Sequence, residues 1–377
     1  MTICVALLIV SGGLVVYSYL LYPLLLWVGT HFLARRAQPY GPQELPRISI
    51  VVAAHNEERT IEGKILNTEV LQYPREKLEL LVGSDGSVDA TDDICRSYPW
   101  VKLARIEPRA GKANVLNNLI PRAQGEIIVL SDANTIIEPQ AIMALVAHFA
   151  DPEVGGVCGH LILKSTGERL ENSERTYWSY ESGIKELESR CHSTIAANGG
   201  IYAIRKSLFK AIPTDTIIDD FLISLDVLAQ GKRLLFERDA VAYEEVSKSF
   251  HDEFWRKVRI GAGNLQVLWR KRTFFFHVPL FVGFAYLSHK VIRWVIPLLL
   301  IVIWVCALLL LDRPIFGVFF GLYNLSLLVA LAGVVGVSKN RVVLMLAYGY
   351  LINLALLIGY ARFLLRTQRV TWRRAER

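Results

Sequence analysis

The sequence predicts an α/β domain with a mostly parallel sheet, placed between apolar segments that are long enough to span a membrane. Three observations support this fold class. Short β-rich runs alternate with amphipathic helices from residue 48 onward, and the stretch of about 47–270 has the composition of a soluble domain. Apolar residues are concentrated in 3–34 and 275–365. These two regions account for the high mean hydropathy of +0.34.

The N-terminal segment, 1–34, is predicted to be an uncleaved transmembrane helix. It contains a long apolar run and lacks the small-residue cleavage pattern of a signal peptide. Arg35 and Arg36 follow the run, and no basic cluster precedes it. The positive-inside rule therefore places the domain that follows in the cytoplasm and the N-terminus outside.

The middle domain is expected at 45–272. In mostly parallel sheets, ligands bind beyond the carboxyl ends of the strands. Asp85 and Asp132 each follow a predicted strand, so we expect the functional site at this edge. The predicted strands are 48–54, 78–84, 101–106 and 127–131, and the predicted helices lie near 57–70, 89–97, 112–123 and 139–150.

The C-terminal region is predicted to contain an interfacial helix at 273–289, about three transmembrane helices within 290–366 and a basic tail at 367–377. Four spans that start outside would end outside, whereas the arginines of the tail favour the cytoplasm. Either the interfacial segment also inserts, or one later segment does not fully cross.

Charge and cysteine content restrict the functional classes. Much of the net charge of +7 lies beside apolar segments, which favours membrane orientation and anionic lipid over nucleic acid. The five cysteines are scattered and form no C-x-x-C pair. We therefore predict neither a disulfide nor a zinc site, which suits a reducing compartment.

Acidic residues are the first candidates for chemistry. Asp85 and Asp132 could meet a ligand at the ends of their strands, or could cap the turns that follow. Asp219 and Asp220 begin a later helix, where adjacent acids are favourable to the helix dipole. They could equally supply a general base, because like charge and partial burial raise the pKa of a carboxyl group.

Basic residues are the second group of candidates. Lys112 begins a predicted helix after a basic loop, where it could pair with phosphate or remain a solvated surface lysine. Arg256 and Arg259 lie in a stretch of alternating aromatic and basic residues, 250–268. Such a stretch is typical of an interfacial helix, and its arginines could also bind pyrophosphate.

Taken together and in order, these segments resemble the inverting glycosyltransferases of family 2. The resemblance is to the membrane-integrated branch with cellulose, hyaluronan and poly-N-acetylglucosamine synthases. It covers about residues 48–270, and the flanking helices match the layout of that branch. The matching motifs are 51–58 (VVAAHNEE), 83–87 (GSDGS), 111–114 (GKAN), 131–134 (SDAN), 198–200 (NGG) and 219–221 (DDF).

The resemblance implies a Rossmann-like nucleotide-diphospho-sugar transferase domain of the GT-A type. Asp85 would contact the nucleoside, and Asp132 with Asn134 would hold Mg²⁺ or Mn²⁺ on the diphosphate. Asp220 would deprotonate the acceptor hydroxyl, with Asp219 as the competing candidate. The motif 198–200 would border the acceptor, and the two arginines of 256–260 would close over the diphosphate. The substrate-binding residues implied in addition to the acids are Asn56, Glu58, Lys112, Asn198, Gly199, Gly200, Arg256 and Arg259.

Two positions depart from the pattern of that branch. The D-x-D metal motif reads Asp132-Ala133-Asn134, so an amide without charge replaces one carboxylate and metal affinity is expected to be weaker. The Q-x-x-R-W motif of the polymer-making members reads 256–260 (RKVRI), without its Gln and Trp. Because that Trp stacks on the acceptor, its loss argues against processive polymerisation.

The expected function is transfer of a hexosyl or N-acetylhexosaminyl unit from a nucleotide sugar, with a UDP-sugar as the expected donor, to a membrane-proximal saccharide or lipid. We expect this activity in polysaccharide or cell-envelope glycan synthesis. The expected location is the plasma (inner) membrane, with several spans, a cytoplasmic catalytic domain and no nucleic acid partner. The alternatives are a single-addition lipid glycosyltransferase and, less favoured, a non-catalytic membrane subunit that binds nucleotide or polysaccharide.

Overall fold

The computed structural model describes residues 1–33, 45–164, 171–245, 250–338 and 340–369. Arg35 and Arg36, on which the predicted orientation rests, lie outside the described residues, as does most of the basic tail.

An eight-stranded sheet forms the centre of the middle domain, in the order β3-β2-β1-β4-β7-β6-β8-β5. β1 to β4 are parallel, and β1 and β4 are buried along their whole length because both faces of the sheet are covered there. The second half is mixed, since β7 runs antiparallel to both of its neighbours. The strands are β1 Ile48–Ala54, β2 Leu78–Asp85, β3 Val101–Ile106, β4 Ile127–Leu130, β5 Ile136–Ile137, β6 Val154–Lys164, β7 Tyr202–Arg205 and β8 Arg233–Glu245.

Helices pack on both faces of this sheet, as the sequence predicts. The helix expected near 57–70 begins only at Ile61, because Asn56 has a left-handed backbone (φ 55°) and Glu57 starts a turn that ends at Thr60. The helices that follow the N-terminal segment are α3 Ile61–Glu69, α4 Thr91–Arg96, α5 Lys112–Arg122, α6 Ala141–Ala147, α7 Glu171–Cys191, α8 Asp219–Ala229 and α9 Phe250–Arg270.

Four helices of the described residues are long and apolar enough to cross a membrane: Thr2–Phe32, Leu280–Leu309, Pro314–Val334 and Arg341–Leu364. The first corresponds to α1 Thr2–Val16, a π-helical turn at Tyr17–Leu21 and α2 Tyr22–Leu33. The second contains α10 Leu280–Ala285, a π-helical turn at Tyr286–Val291 and α11 Ile292–Leu309. The last two are α12 Pro314–Val334 and α13 Arg341–Leu364.

The structure differs from the prediction at 273–289, where a separate interfacial helix is expected. Phe274–Phe276 forms a short 3-10 turn, and the chain from Leu280 onward continues without a break into α11. The first part of this long helix packs against the middle domain, where Val282, Ala285 and Tyr286 are buried in the same core as the sheet. Packing against the domain therefore holds a segment expected to be an interfacial helix.

Buried charges attach this helix to the domain. The His289 ring lies between two carboxylates of α7, 2.8 Å from Glu181 Oε1 and 2.7 Å from Glu188 Oε1. Tyr22 of α2 donates a hydrogen bond to the same Glu188 oxygen at 2.6 Å. Because an unpaired buried charge would be costly, these mutual contacts hold both apolar helices against α7.

Candidate active site

The end of β1 and the loop after β2 are connected by reciprocal hydrogen bonds. The Asn56 backbone N–H donates to Ser87 Oγ (3.1 Å), and its side-chain oxygen accepts from the Val88 N–H (2.9 Å). Glu58 Oε2 accepts from the Ala90 N–H at 3.3 Å. Asn56 and Glu58 therefore shape the loop after Asp85, and their direct contact with substrate remains a prediction.

Asp85 is fully buried at the end of β2. Its Oδ1 accepts a hydrogen bond from the Ala110 N–H (2.7 Å) and its Oδ2 accepts one from the Gly111 N–H (2.9 Å). Gly86 has φ +61°, a conformation that L side chains rarely adopt. Asp85 thus holds the loop that begins α5, and the nucleoside contact expected of it remains a prediction.

That loop places Lys112 between two acidic segments. Lys112 Nζ lies 2.8 Å from Asp132 Oδ1 and 3.4 Å from Asp219 Oδ2. The contact with Asp219 is an ion pair without hydrogen-bond geometry, so this buried oxygen accepts no hydrogen bond in the described structure. Burial disfavours the ammonium, but the carboxylates of Asp132 and Asp219 outweigh it and raise the pKa of Lys112.

The carboxylates of Asp132 and Asp220 both lie next to Gly199. A Cβ at this position would lie 3.3 Å from Asp220 Oδ2 and 3.7 Å from Asp132 Oδ2. Asp132 follows β4 and Asp220 lies in the first turn of α8, so residues 88 positions apart face the same stretch of backbone. A side chain at Gly199 would occupy the space between the two carboxylates.

Asp220 has the electrostatic surroundings of a base. Burial, and then the negative charge of Asp219, raise the pKa of Asp220 to about 6, against the opposing effect of Lys112. Its Oδ1 accepts a hydrogen bond from the Phe221 N–H at 2.8 Å. A carboxyl group with this pKa can accept a proton at neutral pH and release it again.

The other two residues of the 198–200 motif face inward. Asn198 is buried, its side-chain oxygen accepts from Lys185 Nζ, and its amide donates to Gly159 O at 3.4 Å. The Gly200 carbonyl accepts from Ser131 Oγ at 2.7 Å. In this structure Asn198 and Gly200 hold the backbone on which Gly199 faces the acids, and contact with the acceptor remains a prediction.

The two arginines of α9 are held by the protein. Arg256 lies 2.6 Å from a carboxylate oxygen of Glu174 and 2.6 Å from one of Glu253. Arg259 donates to the carbonyl of Ile217, two residues before Asp219, at 2.9 Å. Burial lowers the pKa of Arg259, and Asp219 and Asp220 partly oppose this effect. Arg259 is therefore the better placed of the two to approach a ligand, and diphosphate binding by either remains a prediction.

The candidate metal residues differ in their partners. Asn134 donates its amide to Glu244 Oε1 at 3.1 Å, while the Asp132 carboxylate faces Lys112 and Gly199. Within the described ranges no group of three or more His, Cys, Asp or Glu side chains could hold a metal ion. One carboxylate and one amide oxygen fit Mg²⁺ or Mn²⁺ when the oxygens of a bound diphosphate complete the donor set.

Lys64 is a residue of the site that sequence reasoning missed. It is fully buried, and its Nζ donates to Ser131 Oγ (2.6 Å) and to the Thr135 carbonyl (2.8 Å), on either side of Asp132. Burial lowers the pKa of Lys64 to about 7, opposed by the Asp132 charge. The available signal was its place on the buried face of α3, between Ile61 and Thr68.

The strand order of the sheet, together with the acidic residues at the carboxyl ends of its parallel strands, defines a glycosyltransferase domain with the GT-A fold. Residues 49–212 match the glycosyl transferase family 2 model. The chain therefore carries a glycosyltransferase family 2 domain, which confirms the resemblance, the fold class and the enzyme class predicted from the sequence.

Individual relatives agree with this assignment. Poly-beta-1,6-N-acetyl-D-glucosamine synthase of Staphylococcus aureus (strain NCTC 8325 / PS 47) is 27% identical over 238 residues, which cover 60% of this chain and 57% of that protein. The enzyme of the same name from Staphylococcus epidermidis is 26% identical over 236 residues, with the same coverage. The match therefore spans less than two thirds of these relatives.

A solved structure with the same fold is the mannosyltransferase of Pyrobaculum calidifontis in complex with GDP-Man and Mn²⁺. It aligns with 97% of this chain and 99% of its own, with a TM-score of 0.73 and 21% identity. The shared fold thus includes the apolar helices as well as the sheet.

Proposed function

We propose that this protein transfers a sugar from a nucleotide-sugar donor to a saccharide or lipid acceptor at the membrane surface, with inversion at the anomeric carbon. The observation that carries the proposal is the meeting of Asp132 and Asp220 at Gly199, with Lys112 on Asp132. Asp132 would hold the metal ion on the donor diphosphate, and Asp220 would accept the proton of the acceptor hydroxyl. The nucleotide sugar in the related mannosyltransferase structure supports this donor class.

Asp220 would act on the acceptor. Its carboxylate takes the proton of the acceptor hydroxyl while that oxygen bonds to the anomeric carbon and the bond to the diphosphate breaks. The nucleoside diphosphate leaves on the opposite face of the sugar. Asp219 supports this role because its charge helps to raise the pKa of Asp220.

Lys112 and the start of α5 would act on the donor. The N-terminus of a helix and an ammonium group both attract a diphosphate. Asp85 fixes this segment through the Ala110 and Gly111 N–H groups. Asp132, with the amide oxygen of Asn134, would hold Mg²⁺ or Mn²⁺, whose charge stabilises the leaving diphosphate.

A single-addition transferase acting on a lipid is the second candidate. Ile260 stands where the polymer-making enzymes have the Trp that stacks on the acceptor, and Arg256 of the same motif is held by Glu174 and Glu253. The apolar helices would place either acceptor beside the bilayer. We propose a plasma membrane location with the catalytic domain in the cytoplasm, where nucleotide sugars are available.

The test is to incubate the purified protein in lipid with UDP- and GDP-sugars and Mn²⁺ or Mg²⁺, and to measure the released nucleoside diphosphate. Release that depends on sugar identity and on an added acceptor extract is expected, and Asp220→Asn provides the inactive control. Product length then separates polymerisation from single addition. Binding of nucleotide without turnover under every combination would favour the non-catalytic subunit.

A further inference from the structure

The last apolar helix, α13, has 24 residues and the composition of a membrane span. At 1.5 Å per residue, a helix of this length that crossed the bilayer would place its ends about 36 Å apart along the membrane normal. The contacts of its two ends with the other apolar helices show whether they lie on opposite sides.

The far side of the helix bundle is marked by Met1 and Arg313, whose Sδ and Nη2 atoms lie 3.6 Å apart. The near side, next to the catalytic domain, is marked by Arg293, which donates to the Ser18 carbonyl at 3.5 Å. Between these levels, 2–17 and 294–311 contain no charged residue. From residue 1 to 18 is 17 steps, or about 26 Å, close to the thickness of the hydrocarbon core.

α12 returns from the far side to the near side. It runs antiparallel to α11, since Trp304 Nε1 donates to Asn324 Oδ1 at 3.3 Å and Tyr323 OH donates to the Leu300 carbonyl at 3.4 Å. Gly333, near its end, is therefore close to the level of Arg293.

Both ends of α13 contact this near level. At its start, a Cβ on Gly333 would lie 2.9 Å from Ala347 Cβ and 3.1 Å from the Val343 carbonyl. At its end, Tyr360 OH donates to the carbonyl of Trp294 at 2.6 Å. Trp294 directly follows Arg293 and lies 15 residues, or about 22 Å, from the far end of α11 at Leu309.

The C-terminal part of α13 is covered by α9 of the catalytic domain. A Cβ on Gly359 would lie 2.4 Å from the Val258 carbonyl, and one on Gly261 would lie 3.0 Å from Leu356 Cα. The Arg362 guanidinium lies 4.4 Å from the centre of the Trp255 ring. Because α9 carries Arg256, Lys257 and Arg259, it cannot lie deep in hydrocarbon, and neither can the helix it packs along.

We infer that α13 does not cross the bilayer but lies along the membrane surface on the side of the catalytic domain, between α9 and the ends of the crossing helices. Among the described helices, three then cross: Thr2–Phe32, Leu280–Leu309 and Pro314–Val334. A chain with three crossings that starts on the far side ends on the catalytic side. The basic tail thereby satisfies the positive-inside rule.

The partner of the outer face of α13 is the lipid headgroup and acyl boundary. Met345, Leu354 and Leu364 are 52%, 50% and 72% exposed, and Arg341 and Arg366 lie at either end of the helix. Exposed apolar residues between terminal arginines are suited to a helix in the interface plane. α13 also packs against α9, where a Cβ on Gly263 would lie 2.9 Å from Ile218 Cγ1, in the residue before Asp219.

Protease-cleavage sites inserted into the full chain test the topology. One site is placed after Gly41, one between Asp312 and Arg313, and one after Arg377. Protease is added to sealed right-side-out vesicles and, separately, to sealed inside-out vesicles. The first and third sites should be cut in the same preparation, and the second site in the other. Cleavage at Arg377 from the side that cuts Asp312 would overturn the inference.

A depth measurement gives a second readout that does not depend on inserted sites. Leu354→Trp in the middle of α13 is compared with Leu325→Trp in the middle of α12, because both leucines are about half exposed (50% and 55%). Lipids brominated near the headgroup should quench the added fluorescence of Leu354→Trp, and lipids brominated deep in the chain should quench that of Leu325→Trp. Deep quenching of both would show that α13 crosses.

Discussion

Asp85 and Asp132 occupy equivalent places, each at the carboxyl end of a parallel strand, yet their surroundings differ. Asp85 is fully buried, and two backbone N–H groups bind its two oxygens. Asp132 is partly exposed, pairs with Lys112 and, like Asp220, lies beside Gly199. The same residue type therefore holds a loop in one place and lies beside other candidate site residues in the other.

The largest effect is expected from substitution of Asp220, the second acid beside Gly199. Asp220→Asn should lower sugar transfer on the order of a thousandfold, because an amide cannot accept the proton of the acceptor hydroxyl. Binding of the nucleoside diphosphate, measured by calorimetry, should stay close to wild type. Asp219→Asn should be milder, and the opposite ranking of the two variants would exchange their roles.

The next effect concerns Asp132. Asp132→Asn should lower turnover on the order of a hundredfold, because the leaving diphosphate loses a charge-stabilising group. The metal concentration for half-maximal activity should rise, and the melting temperature should be nearly unchanged. Full activity of wild-type protein in excess EDTA would remove the metal assignment.

Asp85→Asn tests the structural side of the comparison. The amide can accept only one of the two N–H bonds, so the variant should lose about 1–3 kcal/mol of stability and raise KM for the nucleotide sugar roughly tenfold. Chemical denaturation and steady-state kinetics measure the two effects. A large loss of kcat with unchanged stability would instead indicate direct catalysis by Asp85.

Lys64→Met probes how the Asp132 turn is held. It removes the donor to Ser131 Oγ and the Thr135 carbonyl, so we expect about a tenfold loss of kcat and weaker metal activation. Lys77→Met is a matched control, because Lys77 Nζ also donates to a backbone carbonyl, that of Leu45 at 2.7 Å. Equal kinetics in the two variants would indicate that Lys64 has only a structural role.

The smallest expected effect is a shift in pH dependence. Because the pKa of Asp220 is raised to about 6 and the base must be deprotonated, kcat should fall as pH decreases through about 6. Asp219→Asn removes a negative neighbour and should move this inflection to lower pH. An inflection that stays in place or moves upward would contradict the electrostatic link between the two acids.

Much of the fold follows from local sequence pattern. Alternating β-rich and helical runs predict β1 to β4, and the apolar runs predict the long helices, because these features depend on residues near one another in the chain. The ordered motifs also predict the family 2 domain, which the family match confirms. The functional roles of the individual site residues remain predictions.

Only the tertiary structure decides which atoms of these residues are engaged. The binding of Asp85 to Ala110 and Gly111, the inward position of Asn198, and Lys64 beneath the Asp132 turn all join residues distant in sequence. The same holds for α13, whose composition is that of a crossing helix and whose position depends on its contacts with α9 and Trp294. Local pattern determines what each segment can form, whereas burial and pairing between distant segments determine which polar groups remain for substrate.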